Sequence, residues 1–179
     1  INKFKWGGLN NSELYFDETN TRMVMNYRNN YARLAENLFA KKDTLRAIEV
    51  LDKCISEFPR AVVSLTYFTI PIIDIYYKAK EDQKGDDLLA TMIDDYLTEY
   101  RYLSEFKKGS GLKQNFNICG QVLGSLTRVL QLHRRNDDSF TYSKEDNKFY
   151  KSKDGSNKEE INYSSYRINT FLDEFYALQ

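Results

Sequence analysis

His133 is the only histidine in the chain, so any reaction that relays a proton through imidazole must use it. Ser-His and Cys-His catalysis both need that base within reach of a nucleophile and oriented by a third group. A metal site recruits several His or Cys ligands at short spacing. No such companions accompany His133, which ends an apolar-periodic segment beside Arg134, where cations complement a helix dipole. Acidic pairs stand at Asp86-Asp87, Asp94-Asp95 and Asp137-Asp138. Neighbours on a helix point in different directions, so a contiguous pair chelates poorly there; the first two read as solvated helix faces and the third as loop. Gly7-Gly8 and Gly109-Ser110-Gly111 lack the spacing and the Lys of a phosphate-cradling loop. The residues predict no catalytic centre, no cofactor and no metal.

What remains is binding chemistry. The chain carries 14 Tyr, 11 Phe and one Trp, and tyrosine combines apolar area with a hydrogen-bonding tip suited to lining a groove. Asn30, Arg33 and Asn37 are spaced to share one helical stripe. With Tyr31, and with the equivalent face around Asp74 and Tyr77, they are the predicted partner-binding residues, and the partner expected is a protein or peptide, with a glycan acceptor as a further possibility. The alternative is a small-molecule or glycan-binding domain with a Tyr-lined pocket, drawing on Tyr27, Tyr67, Tyr76, Tyr96 and Tyr100. Cys54 and Cys119 read as small buried apolar residues, although sequence alone leaves a disulfide between them open.

These side chains are positioned by helices. Tyr31, Leu34, Ala35 and Leu38, then Ala47, Leu51 and Pro59, follow the tetratricopeptide pattern of large and small residues closed by proline. Small residues let two helices approach, large ones fill the space beside them, and Pro ends the second. A weaker copy, Thr69, Ile72, Ile73 and Tyr76 followed by Gly85 and Leu89, repeats it 38 positions later, beyond the usual period of about 34. Pro71 is tolerated only in a first helical turn, so the third helix must begin near Thr69 or bend there. The periodicity predicts helices over Thr19–Ala40, Thr44–Phe58, Leu65–Ala79, Lys84–Phe106, Leu112–Arg134 and Asn162–Leu178. Met23, Tyr27, Tyr31, Leu34 and Leu38 form the expected apolar stripe of the first helix, and Leu45, Ile48, Leu51, Ile55 and Phe58 that of the second. The fold class expected is all-α: about six helices in antiparallel, tetratricopeptide-like pairs forming a short right-handed superhelical array. Residues 1–16 read as an extended lead-in and 17–179 as one domain, with a long polar insertion over 136–161 in which Ser139 to Ser143 and Phe149-Tyr150 permit a short hairpin.

Composition narrows the partners. Basic and acidic residues both number 26, giving no net charge, whereas a general nucleic-acid binder needs a basic excess to displace counterions. No run approaches the ~18 apolar residues of a membrane span. Ile1 to Lys5 is followed by Trp6-Gly7-Gly8 and not by the apolar core of a secretory signal. A chain beginning at Ile reads as a piece of a longer one.

Phe4 to Leu9, Tyr15 to Glu18, Tyr27 to Ala35, Phe68 to Tyr77 and Lys84-Gly85-Asp86 together resemble the C-terminal region of a bacterial membrane-protein family. Its N-terminal multi-spanning part is distantly similar to protein O-mannosyltransferases and other GT-C glycosyltransferases. The resemblance covers roughly residues 4 to 106 well and the rest weakly, and the 136–161 insertion departs from it. It implies an extramembrane, extracytoplasmic (periplasmic) tail attached to the membrane only through an upstream region. Any catalytic carboxylates would lie in that membrane part, so it assigns no catalytic residue here.

Overall fold

The computed structural model describes residues 7–9, 11, 13–106, 111–133, 139–143, 148–152, 158–161 and 163–178. The chain packs as two compact units, Ile1–Asp82 and Gln83–Gln179. The frame is all-helical, as the periodicity implies. Gly109-Ser110, Arg134 and Asp137-Asp138 lie outside the described residues, as does half of the lead-in.

In the first unit, α1 (Glu18–Ala40) and α2 (Thr44–Glu57) form a helical hairpin. Asp17 caps α1 by accepting from the Asn20 amide at 2.7 Å, and Asp43 accepts from the Arg46 amide to start α2. Ala35 and Ala47 are both wholly buried, as expected of small residues where two helices meet. Phe58 and Pro59 end α2. A 3-10 turn (Tyr67–Thr69) then leads into α3 (Ile70–Lys78). Pro71 sits in the first turn of α3, where its missing amide hydrogen costs nothing. The predicted helix from Leu65 therefore starts later, because the proline sets its beginning.

In the second unit, α4 (Asp82–Ser104, all but its first residue) and α5 (Lys113–His133) precede three short strands and α6 (Tyr163–Ala177). The strands β1 (Ser139–Ser143), β2 (Lys148–Ser152) and β3 (Lys158–Ile161) make an antiparallel meander in the order β1-β2-β3. Thr141 faces Tyr150 across the first pair, and Tyr150 faces Glu160 across the second. The polar insertion thus contains the expected hairpin and one strand more, and β1 and β2 lie against α6.

The 38-residue repeat is visible in backbone closure as well as in sequence. Lys42 and Lys80, 38 positions apart, hold φ of 63° and 66°. After α1, the Lys42 amide donates to the Phe39 carbonyl and the Asp43 amide to Leu38. After α3, the Lys80 amide donates to Tyr77 and the Glu81 amide to Tyr76. Both are Schellman closures, in which one left-handed residue lets two amides satisfy the last carbonyls of a helix. Burial repeats at the same offset: Ala35 and Ile73, Leu51 and Leu89, and Cys54 and Met92 are all wholly buried.

Candidate functional site

The buried face of α1 consists of Val24, Arg28, Tyr31, Ala32 and Ala35. Its centre is an arginine with no exposed surface. The Arg28 guanidinium donates to the carbonyls of Phe58 (2.8 Å), Val63 (2.6 Å) and Ser64 (2.7 Å), tying the segment after α2 to the middle of α1. Tyr27 stacks on the Phe58 ring at 5.7 Å and Tyr31 meets it edge-on at 5.9 Å. One turn of α1 therefore grips both the ring and the carbonyl of Phe58. Burial lowers the pKa of Arg28. The sequence reading did not single out Arg28, although its phase between Val24, Tyr31 and Ala35 marks it as inward-facing.

That phase rotates the expected stripe. Met23 is 48% exposed and Leu34 is 42% exposed, so neither belongs to the packing face that the helical periodicity gave them; Leu45 on α2 is likewise outside. Met23, Asn30, Leu34 and Asn37 instead share the outer stripe of α1, with Arg33 beside it. Asn30, Arg33 and Asn37 are exposed, and the Asn37 side-chain amide donates to the Arg33 carbonyl at 2.8 Å. Arg33 has no ion-pair partner among the described residues. The other three predicted site residues lie elsewhere. Tyr31 and Tyr77 are buried, because their rings fill the core, and burial raises the Tyr31 pKa. Asp74 is half-buried and pairs with Lys78 one turn on at 2.5 Å. The structure thus groups three of the six on one surface and buries both tyrosines in the core.

Cys54 and Cys119 are free buried thiols, each pushed up to about 12, Cys54 by burial and Cys119 by burial followed by the charge of Glu99. A protonated thiol is a poor nucleophile. Tyr76 donates to Asp52 at 2.8 Å, joining α3 to α2, and its pKa is raised by burial and then by that bond. Among the described residues no group of three or more His, Cys, Asp or Glu is placed to hold a metal, and no helix is long and apolar enough to cross a membrane.

The second unit holds two features that sequence reasoning missed. Arg167 on α6, nearly buried, bonds Asp94 on α4 and Glu174 (2.7 Å), and Glu174 also pairs with Arg101 at 2.5 Å. Burial would lower the Arg167 pKa, but the bond to Asp94 and the two carboxylate charges raise it on balance. A cleft of about 360 Å³ opens between Tyr100, Phe116, Gly120 and Phe175, with Asn117 and Gln121 at its rim. Pairings between residues more than seventy positions apart leave no local signal in a sequence. Compared with protein-family models, curated proteins and solved structures, the chain matches none of them.

Proposed function

We propose that this chain is a non-catalytic helical interaction module that captures a protein or peptide partner on the outer stripe of α1. The observation that carries the reading is the exposure of Met23 and Leu34 in line with Asn30 and Asn37. The opposite face of the same helix already supplies its packing, so folding does not require these apolar side chains. Flanking amides and the Arg33 guanidinium can bond a partner's carbonyls or carboxylates, and the exposed Met and Leu supply apolar contact. In this reading the helix pairs continue a tetratricopeptide-like, right-handed array, supported by the Ala35 and Ala47 burial and the repeated closures. The module is the extramembrane, extracytoplasmic tail of a multi-spanning glycosyltransferase-like protein, where it holds a partner or positions an acceptor. A balanced charge supports a protein partner over nucleic acid.

The experiment is site-specific photocrosslinking at Leu34 in the intact parent protein, beside a pull-down. A partner crosslinked at Leu34, and lost from the pull-down when Arg33→Ala is combined with Asn37→Ala, supports the assignment. Unchanged capture by that double variant while the domain stays folded overturns it. Glycosidase, phosphatase and esterase assays of the chain are expected to be negative. Turnover abolished by His133→Ala would refute the non-catalytic reading.

A further inference from the structure

The cleft of the second unit lies wholly among α4, α5 and α6 and shares no residue with the α1 stripe. Its wall is aromatic: Tyr100 stacks on Phe116 with ring centroids 4.4 Å apart, and Phe175 meets Tyr100 edge-on at 5.8 Å. α5 approaches this wall at Gly120, where a Cβ would stand 3.5 Å from the Tyr100 ring; any longer side chain there would occupy the cleft. Asn117 and Gln121, one turn apart on α5, are exposed and stand on the same side of that helix. Each carboxamide offers two donors and an acceptor.

The lining restricts the ligand. Among the described residues no charged side chain lines the cleft, so an anion or cation would be desolvated there without a counter-charge from them. A wholly apolar molecule would cover the two carboxamides without satisfying them. A volume of about 360 Å³ lies at the small end of ligand sites and suits one ring. We infer that the cleft between α4, α5 and α6 binds a neutral sugar ring, its C–H face against the half-buried Phe116 ring and its hydroxyls on Asn117 and Gln121. The inference is independent of the α1 reading, and neither fails with the other.

A free monosaccharide and the last ring of a longer glycan share this chemistry. Saturation-transfer NMR on the full chain tests both, using methyl glycosides of glucose, mannose and galactose beside cellotriose and mannotriose. Transfer from aromatic protons to the ring C–H of at least one probe is expected. Stronger transfer to a trisaccharide points to a glycan end, and equal transfer to a single ring. Gly120→Leu, which fills the cleft, and the paired variant Asn117→Ala with Gln121→Ala should each weaken binding at least about tenfold. Glu49→Ala, at an exposed position of α2, should leave it unchanged. Should Gly120→Leu fail to fold, the paired variant decides, because both its side chains are solvent-exposed. No transfer to any probe overturns the inference, as does transfer that persists undiminished in the paired variant.

Discussion

A guanidinium with no exposed surface and three carbonyl partners is held by hydrogen bonds, with no opposite charge paired to it among the described residues. Truncating it removes the donors and leaves the acceptors of Phe58, Val63 and Ser64 to find new ones, at a cost per buried group that exceeds the value of the bond itself. Arg28→Ala should therefore lower stability by about 3 kcal/mol in urea denaturation, while exposed Arg33→Ala should stay within about 0.5 kcal/mol. Equal effects would show that Arg28 is not a tie. The sequence marks Arg28 as inward by its phase, but it does not reveal that a loop some thirty residues on turns three carbonyls toward it. Cys54 makes a second residue-scale prediction. Its thiol pKa is raised from 9.0 to about 12 by burial, so the native state keeps a proton that the unfolded chain gives up above pH 9. Stability from this group is full below pH 9 and falls as pH rises toward 12, by about 1 kcal/mol at pH 10. Denaturation curves at pH 8 and pH 10 should show that loss in the parent chain and less of it in Cys54→Ala.

Helix positions were readable because periodicity and stop signals are local: a cap at Asp17 or Asp43, a proline after Phe58 and small residues at Ala35 and Ala47. Orientation about the helix axis was less readable. Leu34 and Ala35 are adjacent, and the tetratricopeptide pattern counts both as packing positions, whereas α1 turns only Ala35 fully inward. The candidate site was half legible for the same reason: Asn30, Arg33 and Asn37 sit on the face that the spacing gave them, and Tyr31 and Tyr77 turn into the core. The repeat also ends its helices in a way that composition conceals, since lysine occupies a position where glycine is usual. A left-handed conformation costs an L-residue about 1 kcal/mol relative to glycine. Lys42→Gly and Lys80→Gly should thus each raise stability by about 0.5–1 kcal/mol, against the usual direction for a glycine substitution. Lys41→Gly, at a negative φ of -82°, should not. Thermal melts of the three variants separate these outcomes, and a loss at both Lys42 and Lys80 would deny the closure assignment.

The sequence repeat and the compact units divide the chain differently. By the repeat, α3 and α4 form the second pair, joined by the closure at Lys80. By packing, α3 belongs with α1 and α2, and α4 with α5 and α6, because the boundary falls between Asp82 and Gln83. A linear array of repeats transmits a local loss of stability to its neighbours in graded fashion; two units with separate cores confine it. Arg28 lies deep in the first unit, and its partners span Phe58 to Ser64 of that same unit. In Arg28→Ala, hydrogen exchange followed by mass spectrometry should therefore accelerate throughout α1, α2 and α3. Peptides from α5 and α6, secured to α4 by Tyr100, Arg167 and Glu174, should keep their protection, because local opening draws on the free energy of its own cooperative unit. If α5 and α6 lose protection as far as α1 does, the chain opens as one body and the division at residue 82 has no energetic meaning.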